Sequence, residues 1–377
     1  MLIGIDASRA VPSERTGTEQ YSLHLIRALV RLGKEAHHFR LYFNQPPPKG
    51  LFERNERVEW RIIPFPRLWS HLRLAWEIHR HPPDVLFIPA HVLPLLHPSR
   101  CVVTIHDLGF LYYPETHPPL ARWYLCWATR FNARHAQRVI VDSKATRDDL
   151  IAFYHLEPQK IVVAYPSGAE GFTPVKNPFR LAQVRQRYHT GESYFLYVGS
   201  LHPRKNILTL LEAFARLHKY AIIKKDTKLV LVGKRGWLYQ EIFRRAQEDD
   251  LAGKVSFPGY VPTEDLAALF SGAVAFVFPS LYEGFGLPIL EAMACEVPVI
   301  SSNTSSLPEV VGDAGLLVDP HNVKELCEAM ARLYHDPVLR NELISRGKRR
   351  RRLFSWEACA RQVLSTLEAV GGFANAT

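Results

Sequence analysis

At 377 residues the chain exceeds what one hydrophobic core ordinarily supports, so two domains are expected. Its 47% hydrophobic and 22% charged residues describe an ordinary globular protein, and no stretch approaches the ~18 apolar residues of a membrane span. The five cysteines stand singly, which argues against a disulfide framework or a CxxC zinc site and suits a reducing cytoplasm. The formal charge of +10 is uneven, because the first 180 residues hold 23 Lys+Arg against 16 Asp+Glu. Such an excess favours an anionic partner such as lipid headgroups or a phosphorylated acceptor, and not nucleic acid, since no nucleic-acid-reading motif accompanies it.

In chain order, the first half alternates short apolar runs with helical patterns. Strands are predicted at Leu2–Asp6, Phe39–Phe43, Val58–Ile63, Val85–Pro89, Cys101–Ile105, Val139–Asp142 and Ile161–Tyr165. Alternation of this kind implies a parallel sheet covered by helices. The first strand begins at once, with no basic segment leading an apolar run, so it reads as a strand and not as a signal peptide. After it, Gly17 opens a helix with Tyr21, Leu25, Ala28, Leu29 and Leu32 on one face, and a glycine there lets the backbone approach a phosphate or sugar. The stretch from Pro66 to Ile78 carries Trp69 and Trp76 among arginines and reads as an amphipathic helix covering the sheet, with an interfacial membrane helix as the alternative.

His106 and Asp107 follow the carboxyl end of the Cys101–Ile105 strand, where open α/β sheets bind their ligands. Asp107 is placed to fix the imidazole tautomer. Ser143 is a good helix N-cap, with Arg147 one turn further. The turn-rich segment around Pro174–Pro178 reads as a linker.

Strands then resume at Tyr194–Val198, Leu229–Val232, Val255–Phe257, Ala273–Phe278, Val297–Ser301 and Leu316–Val318. After the first of these, Gly199-Ser200-Leu201-His202-Pro203-Arg204-Lys205-Asn206 places two cations at a helix start, a diphosphate site on electrostatic grounds. Gly233 and the pair Tyr260-Val261 end the next two strands. The run Glu283-Gly284-Phe285-Gly286-Leu287-Pro288-Ile289-Leu290-Glu291 enters a helix with Pro288 near its start. The amides of Phe285, Gly286 and Leu287 therefore face outward, beside one loop carboxylate and one helical carboxylate. Near the end, Lys348–Arg352 is a basic run before Phe354-Ser355-Trp356, read as structural.

Glu-x7-Glu around Gly-Phe-Gly-Leu-Pro, with Pro-Arg-Lys-Asn, His-Asp-Leu and Gly17 in that arrangement, resembles the retaining GT-B glycosyltransferases of family 4 along nearly all of the chain. Two departures stand out: Arg15-Thr16-Gly17-Thr18 has one glycine where the family has two, and Ser200 replaces an arginine common after the first glycine. The resemblance implies two Rossmann-like domains facing each other across a cleft, residues 1–180 and 181–356, with a final helix near 357–377 returning to the first. It implies that Arg204 and Lys205 hold the donor diphosphate, Glu291 the ribose hydroxyls and Glu283 the donor-sugar hydroxyls. His106 would bind the donor sugar near its 6-position, while backbone groups at Gly233, Tyr260 and Val261 would meet the nucleobase. Asp107, Ser143 and Arg147 would lie on the acceptor side.

The expected function is therefore transfer of a hexose, with retention, from a nucleotide diphosphate sugar to a glycan, lipid-linked or other cell-surface acceptor. The motif style points to mannosyltransferases and GDP-mannose, with a UDP-sugar next. With cations at the diphosphate and no Asp-x-Asp, no metal or other cofactor is expected. The expected location is the cytoplasm, with peripheral membrane contact through the basic first half. An epimerase or phosphorylase on the same scaffold and a non-catalytic nucleotide-sugar binder are the competing readings.

Overall fold

The computed structural model describes residues 1–12, 17–65, 68–90, 92–168 and 170–373. The chain forms two compact units. The first contains Met1–Leu111, Pro118–Pro166 and Ser355 onward; the second contains Tyr112–His117 and Ser167–Phe354. The main passage into the second unit thus falls at Ser167, ahead of residue 180, and the Pro174–Pro178 turn segment belongs wholly to that unit.

The first unit holds one parallel sheet of seven strands: β1 (Leu2–Asp6), β2 (His38–Phe43), β3 (Val58–Ile62), β4 (Val85–Ile88), β5 (Cys101–Ile105), β6 (Arg138–Val141) and β7 (Ile161–Val163). Their order is β3-β2-β1-β4-β5-β6-β7, so the direction of winding reverses between β1 and β4. Every residue of β4 and β5 is buried, as expected of strands covered on both faces. The helix Gly17–Gly33 buries Tyr21, Leu25, Ile26 and Leu29 on the sheet.

The last helix, Trp356–Gly371, packs on Gly17–Gly33 and completes the same core with Trp356, Ala360, Val363 and Leu367. Ser355 caps it by accepting from the Ala358 amide at 3.1 Å. Glu368 pairs with the buried His37 at 2.8 Å.

The second unit repeats the plan with β8 (Tyr194–Val198), β9 (Lys228–Val232), β10 (Val255–Gly259), β11 (Ala275–Phe278), β12 (Val299–Ser302) and β13 (Gly315–Val318). The order β10-β9-β8-β11-β12-β13 places its reversal between β8 and β11. The basic run before Phe354 is structural, because Arg350 bonds the carbonyls of Glu309 and Val310 and Lys348 pairs with Glu296 at 3.0 Å. Among the described residues no helix is long and apolar enough to cross a membrane.

Candidate functional site

In the second unit the predicted anion and sugar residues sit on the loops that leave β8 and β11, the two strands flanking the reversal. A crevice at that point is where doubly wound sheets take their ligands. Gly199 and Gly233 end β8 and β9. A Cβ on Gly233 would lie 1.9 Å from the Gly199 carbonyl oxygen, so only glycine permits the strand ends to approach this closely. The β8 loop then turns through Pro203–Lys205 into Asn206, which is left-handed at φ 58°. The Asn206 amide donates to the carbonyls of Pro279, at 3.0 Å, and Pro320, at 2.6 Å. The Leu281 amide donates to Arg204 O at 2.9 Å, so both loops are fastened together and the two cations are held in place.

Lys205 forms an ion pair with the buried Glu283, and its ammonium lies 5.3 Å from the Phe278 ring centroid. The expected diphosphate cation and the expected sugar-binding carboxylate are therefore neighbours. The loop of Glu283 is clamped from the segment after β12. Ser305 Oγ accepts from the Glu283 amide at 3.0 Å, and Ser306 Oγ donates to the carbonyls of Glu283 and Phe285. Gly286, at φ 110°, precedes the helix Leu287–Ala294, and the Phe285 ring turns inward to meet Phe354 edge-on. Only the backbone of Phe285 is thus offered at the helix start. One turn in, burial pushes the Glu291 carboxyl up to about 8. Val261 is buried, whereas Tyr260 is exposed beneath the Lys234 ammonium, 5.6 Å from its ring centroid.

In the first unit, His106 Nδ1 lies 2.7 Å from Asp142 Oδ2 and Nε2 lies 3.0 Å from the Pro89 carbonyl oxygen. Both nitrogens face acceptors, an arrangement suited to the imidazolium, which donates from each. Burial opposes that charge, but the Asp142 carboxylate beside it prevails and raises the histidine's pKa. The edge of the ring meets Tyr21 at 4.7 Å between centroids.

Asp142, and not Asp107, thus orients His106. Asp107 instead accepts from the Gly109 amide at 2.9 Å, turning the chain after β5. Ser143 is fully buried as the cap of Lys144–Tyr154, bonding both the amide and the hydroxyl of Thr146, so it is not available to an acceptor. Arg147 pairs with its neighbour Asp148 at 2.8 Å. Gly17 is the first residue of its helix; residues 13–16, just before it, lie outside the described residues.

Comparison with known proteins gives this geometry a family. A model described as "Glycosyl transferases group 1" matches residues 182–350, and one described as "Glycosyltransferase Family 4" matches residues 15–167. The O-antigen chain mannosyltransferase B of Escherichia coli is 31% identical over 96% of this chain and 98% of its own. The chain is a family 4 glycosyltransferase.

The MMP alpha-(1->4)-mannosyltransferase of Mycolicibacterium hassiacum is 28% identical over 93% of this glycosyltransferase and 94% of that protein. The glycosyltransferase is also similar to the sucrose-phosphate synthase of Thermosynechococcus elongatus, with a TM-score of 0.78 at 23% identity, covering 99% and 100% of the two chains. WaaG, a glycosyltransferase involved in lipopolysaccharide biosynthesis, has a TM-score of 0.74 at 16% identity, covering 97% of this chain and 99% of its own. These likenesses establish the GT-B fold. Sequence reasoning about the glycosyltransferase missed Asp142, the brace of Asn206 and the hydroxyl clamp of Ser305 and Ser306. The polar run after the buried β12 was a usable signal for the last of these.

Proposed function

We propose that the enzyme transfers mannose from GDP-mannose to a glycan acceptor of cell-surface polysaccharide assembly, with retention and without a bound metal. The similarity to O-antigen chain mannosyltransferase B over nearly its entire length carries the donor and acceptor classes. The site chemistry supports the rest. Breaking the bond from C1 to the β-phosphate oxygen leaves an oxocarbenium-like carbon and a diphosphate anion. Arg204, Lys205 and the amides opening Leu287–Ala294 stabilise that anion, the role a divalent cation otherwise takes. The acceptor hydroxyl attacks C1 on the face the diphosphate leaves, and its proton passes to the departing phosphate oxygen. A double displacement needs a free carboxylate nucleophile. Glu283 is paired with Lys205, and Glu291 holds a proton at neutral pH.

The same reading includes contact with a membrane bearing a lipid-linked acceptor. Leu72, Trp76, Leu120 and Trp123 are exposed on two helical segments of the first unit, with Arg73, Arg80 and Arg122 among them. His71 and Trp127 join those segments, their rings 5.9 Å apart.

The deciding experiment is thermal stabilisation by GDP, UDP, ADP and CDP, each with and without EDTA. A ligand at 100 times its Kd adds about 2.7 kcal/mol. GDP is expected to raise the melting temperature, undiminished by EDTA. Lys205→Gln is expected to weaken GDP binding roughly 10- to 100-fold, the worth of a charge-assisted hydrogen bond. A response to UDP alone would move the donor to a UDP-sugar, and no response to any nucleotide would sink the donor-site assignment.

A further inference from the structure

Six residues from the first half of the chain, Tyr112–His117, belong to the second unit, although the residues on either side of them belong to the first. They follow the turn made by Asp107 and the short helix Gly109–Tyr112. Pro114 opens a 3₁₀ turn over Pro114–Thr116, and Pro118 and Pro119 fix φ just beyond it. The Thr116 hydroxyl donates to the Tyr113 carbonyl at 2.7 Å. The Thr116 and His117 amides donate to the carbonyls of Tyr113 and Pro114 at 3.1 and 3.2 Å.

Each end of this segment meets one of the two loops that carry Arg204, Lys205 and Glu283. At its start the Tyr112 ring stacks on Tyr282, with centroids 5.0 Å apart and planes inclined by 26°. Tyr282 is buried and immediately precedes Glu283, the carboxylate paired with Lys205. At its end the Thr116 carbonyl accepts from the Trp237 indole N–H, and the His117 ring lies 5.3 Å from the Trp237 ring. Trp237 also stacks on His202 at 4.6 Å, and His202 is buried just ahead of the Pro203–Lys205 turn. The backbone joins the same two stretches. The Gly236 amide donates to the Leu201 carbonyl, and the Leu201 amide to the Lys234 carbonyl, each at 2.9 Å.

Core packing does not account for these contacts. Tyr112 and Trp237 are 47% and 39% exposed, so their rings bury little area. What they engage instead are the residues adjoining the charged groups of the site. Stacked rings and an indole hydrogen bond impose a definite geometry on their partners. Where groups hold a reacting substrate, a displacement of about 1 Å can cost roughly 100-fold in rate, so modest contacts at these loops carry weight.

We propose that Tyr112–His117 is a strap that sets both loops for the donor, with Tyr112 and Trp237 as positioning residues for the transfer; this rests on the donor site proposed above. By linkage, a strap that favours donor binding is steadied by the donor to the same factor. The test is hydrogen–deuterium exchange at the Thr116 and His117 amides of the full chain, with and without saturating GDP (UDP if that nucleotide is the one that stabilises the parent). The nucleotide is expected to slow exchange there roughly 2- to 10-fold, the worth of one aromatic pair. Tyr112→Ala and Trp237→Phe should each weaken nucleotide binding by a similar factor, lower kcat about tenfold and abolish the slowing. Their melting temperatures should stay close to the parent's, because both side chains are largely at the surface. Tyr112→Phe keeps the stacked ring and should restore affinity, kcat and the slowing together. Nucleotide binding that leaves exchange at both amides unchanged, or variants that bind and turn over like the parent, overturns the proposal. Stabilisation of the parent by no nucleotide would instead remove the donor site, and the strap's role with it.

Discussion

Glu291 keeps a proton at neutral pH because its site offers the carboxyl little compensation for leaving water. Its folded pKa, about 8, lies above the ordinary 4.5, so the unfolded chain ionises first. The stability this group contributes is full below about 4.5, falls as pH rises toward 8, and is then lost. Ribose hydroxyls donating to it would reverse the preference and favour the carboxylate. GDP binding at pH 7 is therefore expected to release close to one proton, measured by calorimetry in buffers of different ionisation enthalpy. The release should fade above pH 9 and vanish in Glu291→Gln. Full-affinity binding with no buffer dependence would remove Glu291 from the ribose. The spacing of the motif made this glutamate visible in the sequence, but its protonation was not, because burial is set by residues distant in the chain. His106 teaches the same lesson. Its neighbour Asp107 was the obvious partner, yet the carboxylate that reaches the ring comes from Asp142, brought alongside by the pairing of β5 and β6. A hydrogen bond from His106 to a sugar requires Nε2 to exchange the Pro89 carbonyl for a hydroxyl.

At the level of elements, Asn206 ties the ends of β11 and β13 to the loop that carries Arg204 and Lys205. Asn206→Ala removes three hydrogen bonds, one of them accepted from Thr209 Oγ1 at 2.7 Å, and leaves two carbonyls poorly satisfied, an expected loss of about 2 kcal/mol in denaturant unfolding. GDP affinity should fall with it even though Asn206 carries no charge. Unchanged affinity would show that Arg204 and Lys205 need no such brace. The strands themselves were legible: each predicted apolar run is a strand, with ends shifted by a residue or two, since buried parallel strands have a strong hydrophobic signature. The turn carrying Arg204 and Lys205 ahead of a helix was legible through Pro203 and its paired cations. The clamp by Ser305 and Ser306 was less so, because hydroxyls bonding a loop some twenty residues away leave no periodic trace. Ser143 shows the reverse, a residue whose capping propensity accounted for it completely.

For the molecule as a whole, the exposed Trp76 and Trp123 belong to the more basic half of the chain. Vesicles containing phosphatidylglycerol should bind the protein in flotation assays, more weakly as salt rises. Replacing Trp76 and Trp123 together by serine should reduce binding at least tenfold, since interfacial anchoring follows the buried aromatic area. No flotation of the parent protein at low salt would remove the membrane from the proposed function.

The chain leaves the first unit at Pro166 and comes back at Ser355, so the second unit is an insert between two parts of one core. That arrangement constrains how such genes recombine. A single crossover between two relatives would hand the hybrid a foreign last helix, one that must still fit against Gly17–Gly33. A double crossover at the two junctions carries residues 167–354 across as a cassette and leaves only the short Tyr112–His117 segment behind. Exchange of the second unit, with the proposed donor site it carries, is then mechanically simple, while exchange of the first unit requires both flanks to travel together.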